Sequence, residues 1–201
     1  MTDVAPAFTS TLRIVVCGTA GGAGTTTLAA ILFDQLSRLS PTVPTLADHS
    51  TGTVGARLPR GDDASTLDTG LVLHDLGPHA LGEGLDLLES PSIIAVIATA
   101  NTPLGFAAVD EMLAAVRERY GQAGLARVTV VAVGTRGRFR TKRLAEALHL
   151  GYGRGIVHLI PYDLSLAGGG RIPVHRLTAR TVKACDALGR RVLAAAAHHR
   201  R

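Results

Sequence analysis

Residues Val15–Thr27 read VVCGTAGGAGTTT, and this stretch restricts the possible folds more than any other. An apolar, β-branched run enters a turn holding Gly18, Gly21, Gly22 and Gly24, and a helical pattern begins at Thr25. Glycines permit a tight turn and let backbone N–H groups come close to a ligand. The helix that follows offers its unpaired N-terminal N–H groups and the positive end of its dipole. A strand, glycine turn and helix in this order are therefore expected to hold a phosphate group. Thr25, Thr26 and Thr27 bring hydroxyls to the same point, where one can bind a phosphate oxygen or a Mg²⁺ ion. The plainer alternative is a turn that only packs the helix against the sheet.

The rest of the chain repeats the alternation. Strands are expected at Leu12–Cys17, Val43–Asp48, Leu71–Asp75, Ser92–Thr99, Arg127–Val133 and Ile156–Ile160. Ser92–Thr99 is apolar throughout, the pattern of a strand buried on both faces at the centre of a sheet. Helices are expected from Thr25 to about Leu39, within 80–89, from Pro103 to about Tyr120, over Thr141–Leu148 and over Leu177–Ala197. Proline is tolerated in a first turn, where its missing N–H loses nothing. His49–Thr69 reads as mostly loop, and Leu164–Pro173 as a glycine-rich loop. Alternating strands and helices predict an α/β fold, a mostly parallel central sheet with helices on both faces.

Of the 201 residues, 46% are hydrophobic, 18% charged and only 3% aromatic, with no Trp. The core must then be aliphatic, which suits a helix-covered parallel sheet. The length fits one well-packed domain over 12–201, preceded by a flexible leader over 1–11. The leader lacks a charged-then-apolar signal pattern, and the apolar run Ile93–Ala100 is too short to span a membrane. Cys17 and Cys185 form no metal-spaced pair, and the plain reading is a reduced, cytoplasmic compartment. The eight histidines show no metal spacing. No Gly-x-Ser-x-Gly elbow supports a hydrolase triad.

The net charge of +5 favours anionic partners without choosing among them. The densest basic run is Thr135–Arg143, TRGRFRTKR. Its Arg136, Arg138, Arg140, Lys142 and Arg143 suit DNA or an acidic membrane surface, which would place the protein at the nucleoid or the membrane periphery. A solvated loop and helix start is the alternative. Arg176, Arg180, Lys183, Arg190 and Arg191 form a second candidate basic face on the last helix.

Two families share features with the glycine turn. Gly18-x-x-x-Gly22-x-Gly24 resembles the cofactor turn of short-chain dehydrogenases, in which Asp48 would bind a ribose hydroxyl of NAD(P). That family needs a Tyr-x-x-x-Lys, and none of Tyr120, Tyr152 and Tyr162 has a lysine four residues on. Gly21-Gly22-Ala23-Gly24-Thr25-Thr26 is similar to the GGxGKT core of the deviant Walker A motif, and here the chain resembles the ParA/MinD family of partitioning and positioning ATPases. Thr27-Leu-Ala-Ala-Ile-Leu looks like that family's first helix, and Leu73-His-Asp75-Leu-Gly77-Pro like its switch II segment. Thr99-Ala-Asn-Thr-Pro103 resembles its loop after the central strand. Ile160-Pro161-Tyr-Asp163, followed by Leu166-Ala-Gly-Gly-Gly170, resembles its late strand and base-side loop. Together these pieces cover most of 12–196.

The resemblance implies a P-loop NTPase-like domain that binds ATP or ADP with Mg²⁺. Gly21, Gly22, Ala23, Gly24, Thr25, Thr26, Thr27, Pro161 and Asp163 would contact the nucleotide. Thr26, Asp48 and Asp75 would serve the metal, and Asp48 and Asp75 are the candidate catalytic carboxylates. It also implies a homodimer and a protein partner from a positioning or secretion system. The chain departs from the pattern where the charges should be. The P-loop lysine position is Thr25, and the signature lysine that reaches across a dimer falls at Ala20. The second acidic position after strand two is Ser50, and the adenine-side Asn is replaced within Gly134-Thr135-Arg136. A triphosphate bound without that lysine loses charge compensation and transition-state stabilisation, so hydrolysis is expected to be slow or absent. In lacking the P-loop lysine the chain also resembles the CpaE/TadZ branch, which is similar to MinD and positions pilus or secretion machinery. An active ATPase that partitions DNA or a large complex, using another basic residue such as Arg136 or Arg171, is the competing expectation.

Overall fold

Parallel strands need long crossovers, and this chain supplies them as helices. The computed structural model describes residues 11–40, 43–50, 54–60, 70–80, 82–137 and 139–198. Apart from Thr11, the expected leader lies outside them. The strands are β1 (Leu12–Gly18), β2 (Thr45–Asp48), β3 (Leu71–Asp75), β4 (Ile93–Ala100), β5 (Val128–Val133) and β6 (Val157–Ile160). They form one six-stranded sheet in the order β2-β3-β1-β4-β5-β6, and every neighbouring pair is parallel. The fold class expected from the sequence is the one observed, and β1 and β4 lie at the centre.

The helices are α1 (Thr25–Leu39), α2 (Val54–Arg57), α3 (Glu83–Asp86), α4 (Pro103–Ala126), α5 (Lys142–Tyr152), α6 (Leu164–Ala167) and α7 (Ala179–His198). Side chains alternate across a strand, so each central strand feeds two cores. Ile14, Val16, Ile94, Val96 and Ala98 join Leu28, Leu32 and Leu36 of α1 and Leu188 and Val192 of α7 on one face. Val15, Cys17, Ile93, Ala95 and Ile97 join Phe106, Val109, Leu113 and Val116 of α4 and Leu148 of α5 on the other. Burying each large aliphatic chain fully contributes about 1.5–3 kcal/mol. Both thiols, Cys17 and Cys185, are free and buried, and burial is the main cause that pushes each up to about 12.

Several boundaries differ from expectation. α4 runs to Ala126 because a further turn follows a break at Gly121, where φ is +60°. Its start is as the sequence suggests: Pro103 opens the first turn, and the Thr102 hydroxyl accepts the Gly105 N–H at 3.1 Å. α5 continues past Leu148 to Tyr152. Leu164–Pro173 is not all loop. α6 begins there because the Asp163 carboxylate caps it, accepting the Ser165 N–H at 3.0 Å. Within His49–Thr69, the described part contains the single turn α2. No helix among the described residues is long and apolar enough to cross a membrane.

Candidate functional site

The sheet order creates the site. Chain connections leave β1 in one direction towards β3 and β2, and β4 starts the other half, so the strand sequence switches between β1 and β4. Open parallel sheets bind ligands outside the carboxyl ends of the strands at such a switch point. A cleft of about 550 Å³ lies there. The ends of β4 and β5 reach it directly, and the other strands contribute through the residues that follow them. Its walls are the turn Ala20–Thr27 after β1, Ser50 after β2, and Gly77 and Pro78 after β3. Ala100 ends β4, Val133 ends β5 with Gly134 and Thr135 after it, and Pro161–Asp163 with Leu166 and Ala167 follow β6.

The start of α1 faces this cleft in an unusual way. Most helices begin with a side-chain cap that satisfies an N–H group of the first turn. Here the cap position is Gly24, in the left-handed region at φ +87° and ψ +21°, and no side chain caps the helix. Gly22 is also left-handed, at φ +76°. The first-turn N–H groups have no acceptor within the helix and point along its axis into the cleft. All of Gly21, Gly22, Ala23, Gly24, Thr25, Thr26 and Thr27 line it, as do Pro161 and Asp163.

The side chain of Thr25 packs against Gly18 at the end of β1. It is buried, and a Cβ added to Gly18 would overlap Thr25 Oγ1. Ala20 is exposed at the rim. Position 25 therefore contributes its backbone to the cleft but no charge. Thr26 and Thr27 are half-buried at the first turn of α1.

Asp48 and Asp75 do not line the cleft themselves; Ser50 does, in front of them. The two aspartates are register partners at the ends of β2 and β3. Ser50 Oγ lies 2.8 Å from Asp48 Oδ1 and 2.9 Å from Asp75 Oδ2. A hydroxyl has one proton, so it serves one carboxylate at a time. Backbone N–H groups add to these contacts. Asp48 Oδ1 accepts the Ser50 N–H at 2.8 Å and Oδ2 the Val54 N–H at 3.1 Å, while Asp75 Oδ1 accepts the Gly77 N–H at 3.0 Å. Both carboxylates thus shape the loops that carry Ser50 and Gly77 to the cleft.

Asp163 has a similar position. Its Oδ1 accepts the Ser165 N–H and its Oδ2 the Thr178 N–H at 2.9 Å. Burial pushes its pKa up. Hydrogen bonds from the Thr178 N–H, the Thr181 hydroxyl, the Ser165 N–H and the Thr178 hydroxyl outweigh that and hold the carboxyl below its ordinary range. Asp163 joins α6 to the approach of α7, on the wall of the cleft.

Arg136 stands at the rim, where its Nε donates to the Tyr162 hydroxyl at 3.0 Å. Arg140, Lys142 and Arg143 are exposed beyond it, and Lys142 pairs with Glu146 at 3.7 Å. Arg138 lies outside the described residues. Of the second basic group, Arg176, Arg180, Lys183 and Arg190 are exposed, whereas Arg191 is half-buried against Thr129. Among the described residues no group of three or more His, Cys, Asp or Glu is placed to hold a metal.

One residue near the site had no signal in the sequence. Arg57, at the end of α2, is buried, and its Nη2 donates to Thr27 Oγ1 at 2.7 Å. It sits in a Gly-, Asp- and Thr-rich stretch without periodicity, where one arginine reads as surface charge.

The fold is α/β and P-loop NTPase-like, with the cleft at the switch point of its sheet. Among solved structures, the chain is similar to one described as a ParA family ATPase from Chlorobium tepidum TLS, with a TM-score of 0.62. The identity is 14%, and the match covers 90% of this chain and 98% of that one. No protein-family model and no curated protein sequence matches the chain. The strand order also separates this fold from the dinucleotide-binding one, in which β2 lies beside β1. Here β3 intervenes, so Asp48 stands two strands from the glycine turn.

Proposed function

We propose that the protein is a ParA/MinD-like positioning or partitioning factor. It binds ATP or ADP at the glycine turn, dimerises, recruits a partner protein and hydrolyses ATP slowly or not at all. One observation carries the reading: the uncapped first turn of α1, opened by left-handed Gly24, faces a cleft with room for a nucleotide. Backbone N–H groups and the helix dipole supply the attraction for phosphate. The cation that normally completes such a site is missing at Thr25, whose side chain packs under the turn. Charge developing on a transferring phosphoryl group is then poorly stabilised, while ground-state binding through the backbone persists.

The oxygen donors suit Mg²⁺, which favours hard oxygen ligands and keeps several waters. Thr26 would offer its hydroxyl, and Ser50, bonded to Asp48 and Asp75, lines the same cleft. Bound there, the ion would neutralise phosphate charge. Asp163 and Pro161 shape the wall on which the rest of the nucleotide lies. The exposed run Arg136, Arg140, Lys142 and Arg143 beside the cleft favours an anionic surface, DNA or acidic lipid, as the place of attachment.

Turnover and mass test this together. ATP hydrolysis by the full chain is expected at or near the buffer background, and light scattering is expected to show the mass doubling when MgATP is added. Turnover well above background that disappears in Thr26→Ala would replace this reading with an active partitioning ATPase.

A further inference from the structure

We infer that Arg57 is a positioning residue of the anion site: it turns the Thr27 hydroxyl into a donor aimed at the cleft and places beneath it the positive charge that position 25 lacks. This rests on the nucleotide reading above and adds a residue and a charge to it.

The geometry is specific. Arg57 is 9% exposed. Nη2 donates to Thr27 Oγ1 at 2.7 Å and to the Leu166 carbonyl at 2.8 Å. Nη1 donates to the Gly170 carbonyl at 2.9 Å and to the Gly168 carbonyl. A guanidinium is donor only, so Thr27 Oγ1 must be the acceptor in their contact. Its one O–H proton is left to point elsewhere, and no other bond of that hydroxyl is made among the described residues. Thr27 and Leu166 both line the cleft. The guanidinium therefore ties the first turn of α1 to α6 and the glycines after it, and leaves a polarised hydroxyl between them.

The charge matters as much as the contacts. Among the described residues Arg57 has no carboxylate partner, and three of its four acceptors are backbone carbonyls. Burial pulls its pKa down, as expected for a cation compensated by dipoles alone. An anion in the adjacent cleft offsets that desolvation, so the ligand-free state carries a cost that the loaded state relieves. A guanidinium needed only to brace the loop would not make anion affinity depend on its charge.

ATP titrated calorimetrically into the full chain separates the two roles. Arg57→Gln and Thr27→Val are each expected to weaken ATP binding about tenfold, the scale of one hydrogen bond to a charged group. The double variant is expected to lose little more than either single one, because both remove the same donor. Arg57→Lys is expected to recover most of the affinity, and Arg57→Gln to bind with a weaker salt dependence than the wild type. If Arg57→Gln fails to fold, Thr27→Val and Arg57→Lys decide the matter, since Thr27→Val keeps the guanidinium and the shape. Wild-type affinity in Thr27→Val, or losses that multiply in the double variant, would overturn the inference while leaving the nucleotide reading intact. A wild-type chain that binds no ATP overturns both.

Discussion

Gly24→Val is expected to weaken triphosphate binding by at least about 100-fold and to destabilise the fold by about 1–3 kcal/mol. Gly24 holds φ at +87°, where a β-branched residue is strained by that amount. Relieving the strain swings the peptide out of the left-handed region and turns the first N–H groups of α1 away from the cleft. Losing two hydrogen bonds to a charged phosphate, at about 1.5 kcal/mol each, gives the 100-fold figure. Asparagine tolerates the left-handed region, so Gly24→Asn should lose less of both. Calorimetry with ATP and thermal unfolding on the same preparations check the pair. A Gly24→Val chain that binds as tightly as the wild type would show that the turn is only a packing device.

Arg127→Met is expected to produce the opposite separation, a large loss of stability with ligand binding unchanged. Arg127 precedes β5 at the end of the sheet away from the cleft. It is buried, and burial lowers its pKa. Its guanidinium donates to the Ser90 carbonyl at 2.6 Å and the Leu88 carbonyl at 2.7 Å, with longer bonds of 3.4 Å to those of Ile93 and Ala123. These tie the turn before β4 to the end of α4. Methionine keeps the stem and removes every donor, leaving buried carbonyls unpaired at a cost of about 3 kcal/mol. For a chain of this size, 1 kcal/mol moves the midpoint by about 2–4 °C, so a fall of about 6–12 °C is expected. A fall under about 2 °C would mean that water replaces the guanidinium without loss.

The parts of the fold that were legible in the sequence share a local cause. α1 shows helical apolar spacing between a glycine turn and Ser40-Pro41, and its observed bounds, Thr25–Leu39, are those expected. β3 is found at Leu71–Asp75 as read, and β4 sits at the centre because it is apolar on both faces. Boundaries slipped where tertiary contacts decide them. The break at Gly121 needs a left-handed residue, but a lone glycine in a helical pattern does not announce whether a further turn follows.

The site was legible in the same uneven way. Its backbone part, Gly21–Thr27, was visible because glycine spacing reports backbone geometry directly. Its side-chain part was not. Asp48 and Asp75 are expected at the metal; they bond Ser50, which lines the cleft, and which atoms a carboxylate meets depends on loops that sequence does not position. Arg57 finds its carbonyl partners 109–113 residues further along the chain, beyond any local pattern. That position 25 is Thr and carries no charge is plain from the sequence. That Thr25 turns its side chain under the turn against Gly18 required the fold.

Calorimetric titration of the wild-type chain with ATP and ADP in the presence of Mg²⁺, and separately with NADH, tests the central claim most directly. Saturable heat with an adenine nucleotide and none with NADH is the predicted result. Saturable NADH binding with none for ATP or ADP, or no binding of any of the three, would contradict it.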